Sequence, residues 1–167
     1  MSRAWLILAS DRVSRGERAD QTAGRVGAVL QAAGLELAGV QAVPDEIGAL
    51  SEALRAACGQ AELVLTSGGT GIAPRDVTPE ATRAVIEREI PGLGEVMRAA
   101  SGGAVPTALL SRALAGTRGR TLIANLPGSP AGSEQCLRAI LPALLHGLKL
   151  LAGAVQDCAT DPVVRGH

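Results

Sequence analysis

Leu63-Val64-Leu65-Thr66-Ser67-Gly68-Gly69-Thr70-Gly71 passes from an apolar run through two hydroxyl residues into a turn with three glycines. An unbroken apolar run is the pattern of a strand covered on both faces, as in a parallel sheet whose crossover helices bury both sides. Trp5-Leu6-Ile7-Leu8-Ala9 repeats that pattern upstream. After it, Val26, Val29, Leu30 and Ala33 recur at helical spacing, with Asp20 able to cap the start and Gly34 placed to end the helix. A strand over 36–43 and a helix carrying Ile47, Leu50, Leu54 and Cys58, ending before Gly59, complete a second unit.

Downstream of the glycine turn, Thr78 as cap and Pro79 at the first helical position predict a helix start. Leu93, Val96, Met97 and Ala100 predict an amphipathic helix, and after a stretch of little pattern Thr121-Leu122-Ile123-Ala124 reads as a strand. Asn125-Leu126-Pro127-Gly128-Ser129-Pro130 reads as a turn into a last helical region. That region holds Leu137, Ile140, Leu141, Leu144, Leu145, Leu148 and Leu151, more apolar surface than a solvated helix shows, so it is either core or a subunit contact. Pro142 within it predicts a kink or a fresh start. Alternating strands and helices imply an α/β fold, a three-layer αβα sandwich with a mostly parallel sheet. By the usual size prior this is one domain, expected over 1–153, with 154–167 as a tail of little pattern.

Formal net charge is zero and Trp5 is the only aromatic residue, which argues against nucleic acid as a partner. No apolar run approaches the roughly 18 residues of a membrane span, and the opening residues lack a signal-peptide pattern, so a cytoplasmic protein is expected. Cys58, Cys136 and Cys158 fit neither a disulfide framework nor a zinc site and read as small buried hydrophobes. His146, in the apolar last region, and His167, in the tail, suit no general-base role.

Ligands in an open parallel sheet bind beyond the carboxyl ends of the strands. Four clusters fall there: Ser10-Asp11-Arg12, Pro44-Asp45-Glu46, the glycine loop, and Asn125 to Ser129. Gly68, Gly69, Thr70 and Gly71 suit a phosphate cradle, since glycines let backbone close on a ligand, although a plain tight turn would use the same residues. Asp76 beside such a cradle suits Mg²⁺ or orientation of a transferring group, or else a helix cap. Asp45 and Glu46 are either solvated acids starting a helix or a second metal-facing acid on that edge. Ser129 and Pro130 form a second anion-binding helix entrance. Neither the P-loop pattern with its lysine nor the spaced glycines of the dinucleotide fold is present.

Thr66 to Gly71 followed by Pro74-Arg75-Asp76-Val77-Thr78-Pro79-Glu80-Ala81-Thr82 closely resembles the signature of the molybdopterin adenylyltransferase family, which includes MogA and MoaB-type proteins and a domain of gephyrin. Ser10-Asp11-Arg12, Pro44-Asp45-Glu46, Pro91 to Arg98, Leu110-Ser111-Arg112-Ala113 and Asn125 to Pro130 extend the resemblance over roughly residues 4 to 153. It implies a homotrimer that binds molybdopterin and Mg-ATP, forms adenylylated molybdopterin and releases pyrophosphate, with a molybdenum insertase as a downstream partner. It also implies that Asp45 and Asp76 hold Mg²⁺ or orient substrate, and that Gly68, Gly69, Thr70 and Gly71 contact phosphate. Ser10, Asp11, Ser101, Ser111, Pro127, Gly128 and Ser129 would complete the site. The loops around Asp76 and Asn125 look more like the MogA type than MoaB. A non-catalytic molybdopterin carrier of the MoaB kind is the alternative, and a nucleotide-processing enzyme on the same fold a third reading.

Overall fold

The run at Leu63–Ser67 becomes a strand with all five residues buried. In the computed structural model, which describes residues 1–103 and 105–154, it is the third of six strands in one sheet. These are β1 (Arg3–Ala9), β2 (Glu36–Val43), β3 (Leu63–Ser67), β4 (Arg88–Glu89), β5 (Ala115–Arg118) and β6 (Thr121–Leu126). Their order is β2-β1-β3-β6-β5-β4. The first four in that order are parallel, while β5 runs antiparallel to β6 and β4 antiparallel to β5. β5 falls in the stretch without readable pattern and β4 ahead of the amphipathic helix at Leu93; they are only four and two residues long, too short for a period-2 signal.

Among the described residues six α-helices accompany the sheet: α1 (Asp11–Ser14), α2 (Thr22–Ala32), α3 (Ile47–Cys58), α4 (Thr78–Arg83), α5 (Pro91–Gly102) and α6 (Pro130–Leu151). Successive strand residues point to opposite faces. Leu6 and Leu8 therefore join Leu63 and Leu65 in a core with α2, α5 and α6, while Ile7 and Val64 face a second core with α3 and α4. The expected three layers follow. α2 ends in a Schellman closure: Gly34, at φ +76, donates to the Gln31 carbonyl and Leu35 to that of Leu30.

One local expectation is met and two are corrected. Asp20 caps the start of α2, its carboxylate accepting from the amides of Thr22 and Ala23 at 2.9 and 2.8 Å. Thr78 is not a cap: Val77 holds that position, and the buried Thr78 hydroxyl donates to the Gly68 carbonyl at 2.9 Å. Its tertiary partner outcompetes the local one. Pro142 neither breaks nor restarts the last helix, which runs unbroken from Pro130 to Leu151. Leu137, Ile140, Leu144 and Leu148 on it are buried in this chain's own core. The tail expected at 154–167, with Cys158 and His167, lies from residue 155 onward outside the described residues.

Candidate active site

From β1 the chain moves to one side to form β2 and then to the other to form β3. The crevice between the carboxyl ends of β1 and β3 is thus the topological switch point, where doubly wound sheets bind ligands. A cleft of about 670 Å³ lies there, lined among others by Ser10, Arg18, Asp20, Gly68, Gly69 and Ser129. Gly68 and Gly69 sit at φ +100 and +63, a left-handed backbone that side chains with a Cβ resist. A Cβ on Gly68 would overlap the Ala9 carbonyl oxygen. The Gly68 amide is used within the fold, donating to Leu126 at 3.2 Å, while Thr78 returns its backbone N–H to Gly69 at 3.0 Å. The turn is therefore stapled to β6 and α4, and its shape exists before any ligand arrives.

Acids flank this turn on both sides. Asp11 and Asp45 exchange bonds, each backbone N–H donating to the other's carboxylate at 3.0 and 3.1 Å. Arg75 grips Asp11 with two bonds of 2.7 and 2.9 Å, and together with the Asp45 amide it holds the Asp11 carboxyl below the usual range. Burial pushes the Asp45 carboxyl up, and the neighbouring charges of Asp11 and Asp76 push the same way. A Cβ on Gly69 would stand 3.2 Å from Asp45 Oδ1, and one on Gly71 2.7 Å from Asp76 Oδ2. The two carboxylates thus lean on opposite ends of the glycine turn. Asp76 caps its own loop by accepting from the Ala73 amide at 2.9 Å, and Glu46 lies exposed at the start of α3.

A second, mainly apolar cleft of about 340 Å³ opens on the far side of the turn, lined among others by Thr70, Gly71, Ser101, Ser111, Pro127 and Ser129. Ser129 caps α6 through the Gly132 amide, with Pro130 in the first helical turn, and borders both clefts. Gly128 abuts Gly68: a Cβ there would be 3.3 Å from the Gly68 Cα. The buried Ser101 hydroxyl faces Cys136 Sγ at 3.3 Å. Ser10, Gly68, Gly69, Gly128 and Ser129 thus line the first cleft and Thr70, Gly71, Ser101, Ser111, Pro127 and Ser129 the second. Asp11, Asp45 and Asp76 line neither: Asp45 and Asp76 lie beside the glycine turn, and Asp11 beside Asp45.

Cys136 is buried behind Ser101 and Cys58 half-buried, and burial pushes both thiols up. His146 lies sixteen residues along α6 from Pro130, about 24 Å by helical rise, and is half-buried. Among the described residues, no group of three or more His, Cys, Asp or Glu side chains forms a metal site. Asp45 and Asp76 nevertheless suit Mg²⁺, which is held by one or two carboxylates and completed by substrate phosphates and water. Sequence reasoning missed Arg18 on the cleft and assigned no role to Arg75 and Arg112. The last two stand inside the quoted motifs, which was the available signal.

A glycine turn at the switch point, two acids flanking it and a helix entrance opposite define an α/β protein whose sheet edge suits a phosphate-bearing ligand. The chain belongs to the family described as "Probable molybdopterin binding domain", which matches residues 5–146. It is 41% identical over 152 residues to the molybdopterin adenylyltransferase of Helicobacter pylori J99, covering 89% of this chain and 86% of that one. Escherichia coli K12 has a protein of the same name, 41% identical over 135 residues, covering 72% and 69%. The crystal structure of the molybdopterin biosynthesis enzyme MoaB from Thermus thermophilus superposes with a TM-score of 0.86 at 48% identity, covering 92% of this chain and 98% of that one. A solved MogA chain superposes with a TM-score of 0.84 at 38% identity, covering 89% of this chain and 99% of that one, so the similar structures include both MogA and MoaB.

Proposed function

We propose that this chain is a molybdopterin adenylyltransferase. An oxygen of the molybdopterin phosphate attacks the α-phosphorus of ATP, the bond from that phosphorus to the bridging oxygen breaks, and pyrophosphate leaves with the electron pair. The observation that carries this reading is the pair of carboxylates, Asp45 and Asp76, set against the two ends of a prefolded glycine turn at the switch point. Nucleotidyl transfer asks little covalent chemistry of the protein and much alignment and charge neutralisation. Asp45 and Asp76 would hold Mg²⁺, which supplies neutralisation of phosphate charge. Gly69, Thr70 and Gly71 contact phosphate, and Ser129 at the start of α6 presents a helix N-terminus to anionic substrate. The two clefts that share Ser129 give room for two substrates on either side of one phosphate-binding ridge.

The chain acts as a homotrimer in the cytoplasm and passes its product to a molybdenum insertase. No helix of the described residues is long and apolar enough to cross a membrane. The decisive experiment incubates purified protein with molybdopterin and Mg-ATP and detects adenylylated molybdopterin and pyrophosphate. Molybdopterin binding without product would replace this reading by the non-catalytic carrier.

A further inference from the structure

Between Ser67 and Thr78 the chain has no regular secondary structure, and residues 72–75 of this loop are exposed. Asp76 sits on it, so the position of that carboxylate depends on what braces the loop from outside. One brace is Arg112, which follows the 3-10 turn Pro106–Leu110. Its backbone N–H donates to the Thr70 carbonyl at 2.8 Å. Its Nε donates to the Gly71 carbonyl at 2.7 Å and its Nη2 to the Asp76 carbonyl at 2.6 Å. Nη1 is bonded to the Glu80 carboxylate, which Arg112 holds below its usual pKa range. One planar guanidinium thus spans both shoulders of the loop and the first turn of α4, using donors whose fork geometry is rigid.

We propose that Arg112 is a positioning residue for the transfer reaction: it locks Gly71 to Asp76 and so keeps the Asp76 carboxylate against the glycine turn. The proposal rests on the adenylyl-transfer reading. Lysine cannot replace arginine here, because an ammonium is a point donor and cannot bridge two carbonyls and a carboxylate held by a planar fork. The guanidinium is about one-third exposed and borders a cleft of about 310 Å³ lined also by Arg83, Glu89, Arg98 and Ser111. A free guanidinium ion can therefore reach the position that truncation vacates.

The test uses the full chain with Arg112→Ala and Arg112→Lys. Arg112→Ala is expected to lower kcat about 100-fold with KM for ATP little moved, since a misplacement of about an ångström costs that much. Arg112→Lys remains impaired by about tenfold or more. Guanidinium chloride well below denaturing concentration restores part of the activity of Arg112→Ala and does nothing for wild type. Hydrogen exchange of amides 71–80 quickens in Arg112→Ala and slows again when guanidinium is added, a readout that needs no turnover. Unchanged exchange overturns the proposal, as does a loosened loop with near-wild-type kcat, or an activity loss that follows only the unfolded fraction and ignores guanidinium. If wild type itself forms no adenylylated product, the proposed function fails alone. Loop exchange and molybdopterin affinity of the two variants then decide the brace, equal affinity in all three proteins counting against it.

Discussion

Asp45 and Asp76 carry the same carboxyl group and are held differently. Asp76 spends its carboxylate on one loop amide, so Asp76→Asn is expected to cost only about 1 kcal/mol of stability. Adenylyl transfer is expected to fall at least about 100-fold, because in the proposed reaction its charge helps to neutralise and align the reacting phosphates. Product assays beside thermal melts check this, and retained turnover would remove Asp76 from the mechanism. Asp45 is half-buried and its carboxyl is raised. The folded protein therefore binds this proton more tightly than the unfolded chain, and ionising Asp45 lowers stability as pH rises above the ordinary aspartate value of about 3.9. Asp45→Asn keeps an acceptor for the Asp11 amide and removes that charge. It should melt higher than wild type at pH 7, with the gain shrinking as pH falls through the raised Asp45 range, while transfer is lost. Asp11 has the opposite sign: Arg75 lowers its carboxyl, so its contribution is present above about pH 3.9 and lost as pH falls below that.

At the scale of elements, the deepest reassignment concerns Asn125, which the sequence suggests as the first residue of a turn. It is instead the fifth residue of β6 and fully buried. Its Nδ2 donates to the hydroxyls of Thr66 on β3 and Thr82 on α4 at 3.0 and 2.9 Å, and its Oδ1 accepts from the Leu114 amide at 3.4 Å. One amide thus ties together the strand before the glycine turn, the helix after it and the edge of the sheet. Asn125→Ala strands several buried polar groups at once and is expected to destabilise by about 2–4 kcal/mol, read as a lower denaturant midpoint at unchanged slope. Gly68→Ala tests the turn itself. Left-handed backbone costs an alanine about 1–2 kcal/mol, and the overlap with the Ala9 carbonyl adds to it. A melting temperature within a degree of wild type would refute the close approach.

At the scale of the molecule, most leucines of the apolar last helix pack in or against this chain's own core, while Leu150 on it stays exposed. Further bare apolar surface lies on and beside the 3-10 turn, where Val105, Leu109 and Leu110 are each at least half exposed. A trimer is expected to cover such surface, giving a mass of about 51 kDa for three chains of 16.9 kDa in light scattering at micromolar concentration. Leu109→Glu should then release monomers, and a wild-type mass near 17 kDa would refute assembly. The alternation of strands and helices, the glycine turn and the capping serine at 129 were legible in the sequence because each depends on residues near in the chain, through periodicity, left-handed glycine and N-cap chemistry. Tertiary structure alone decided the antiparallel edge, the buried role of Asn125 and the partners of Asp11, Asp45 and Arg112. Those bonds join residues 34 to 64 positions apart in the case of Asp11, and 32 to 41 in that of the Arg112 side chain. Such pairings depend on how separate segments are brought together by the sheet order, which no local pattern encodes.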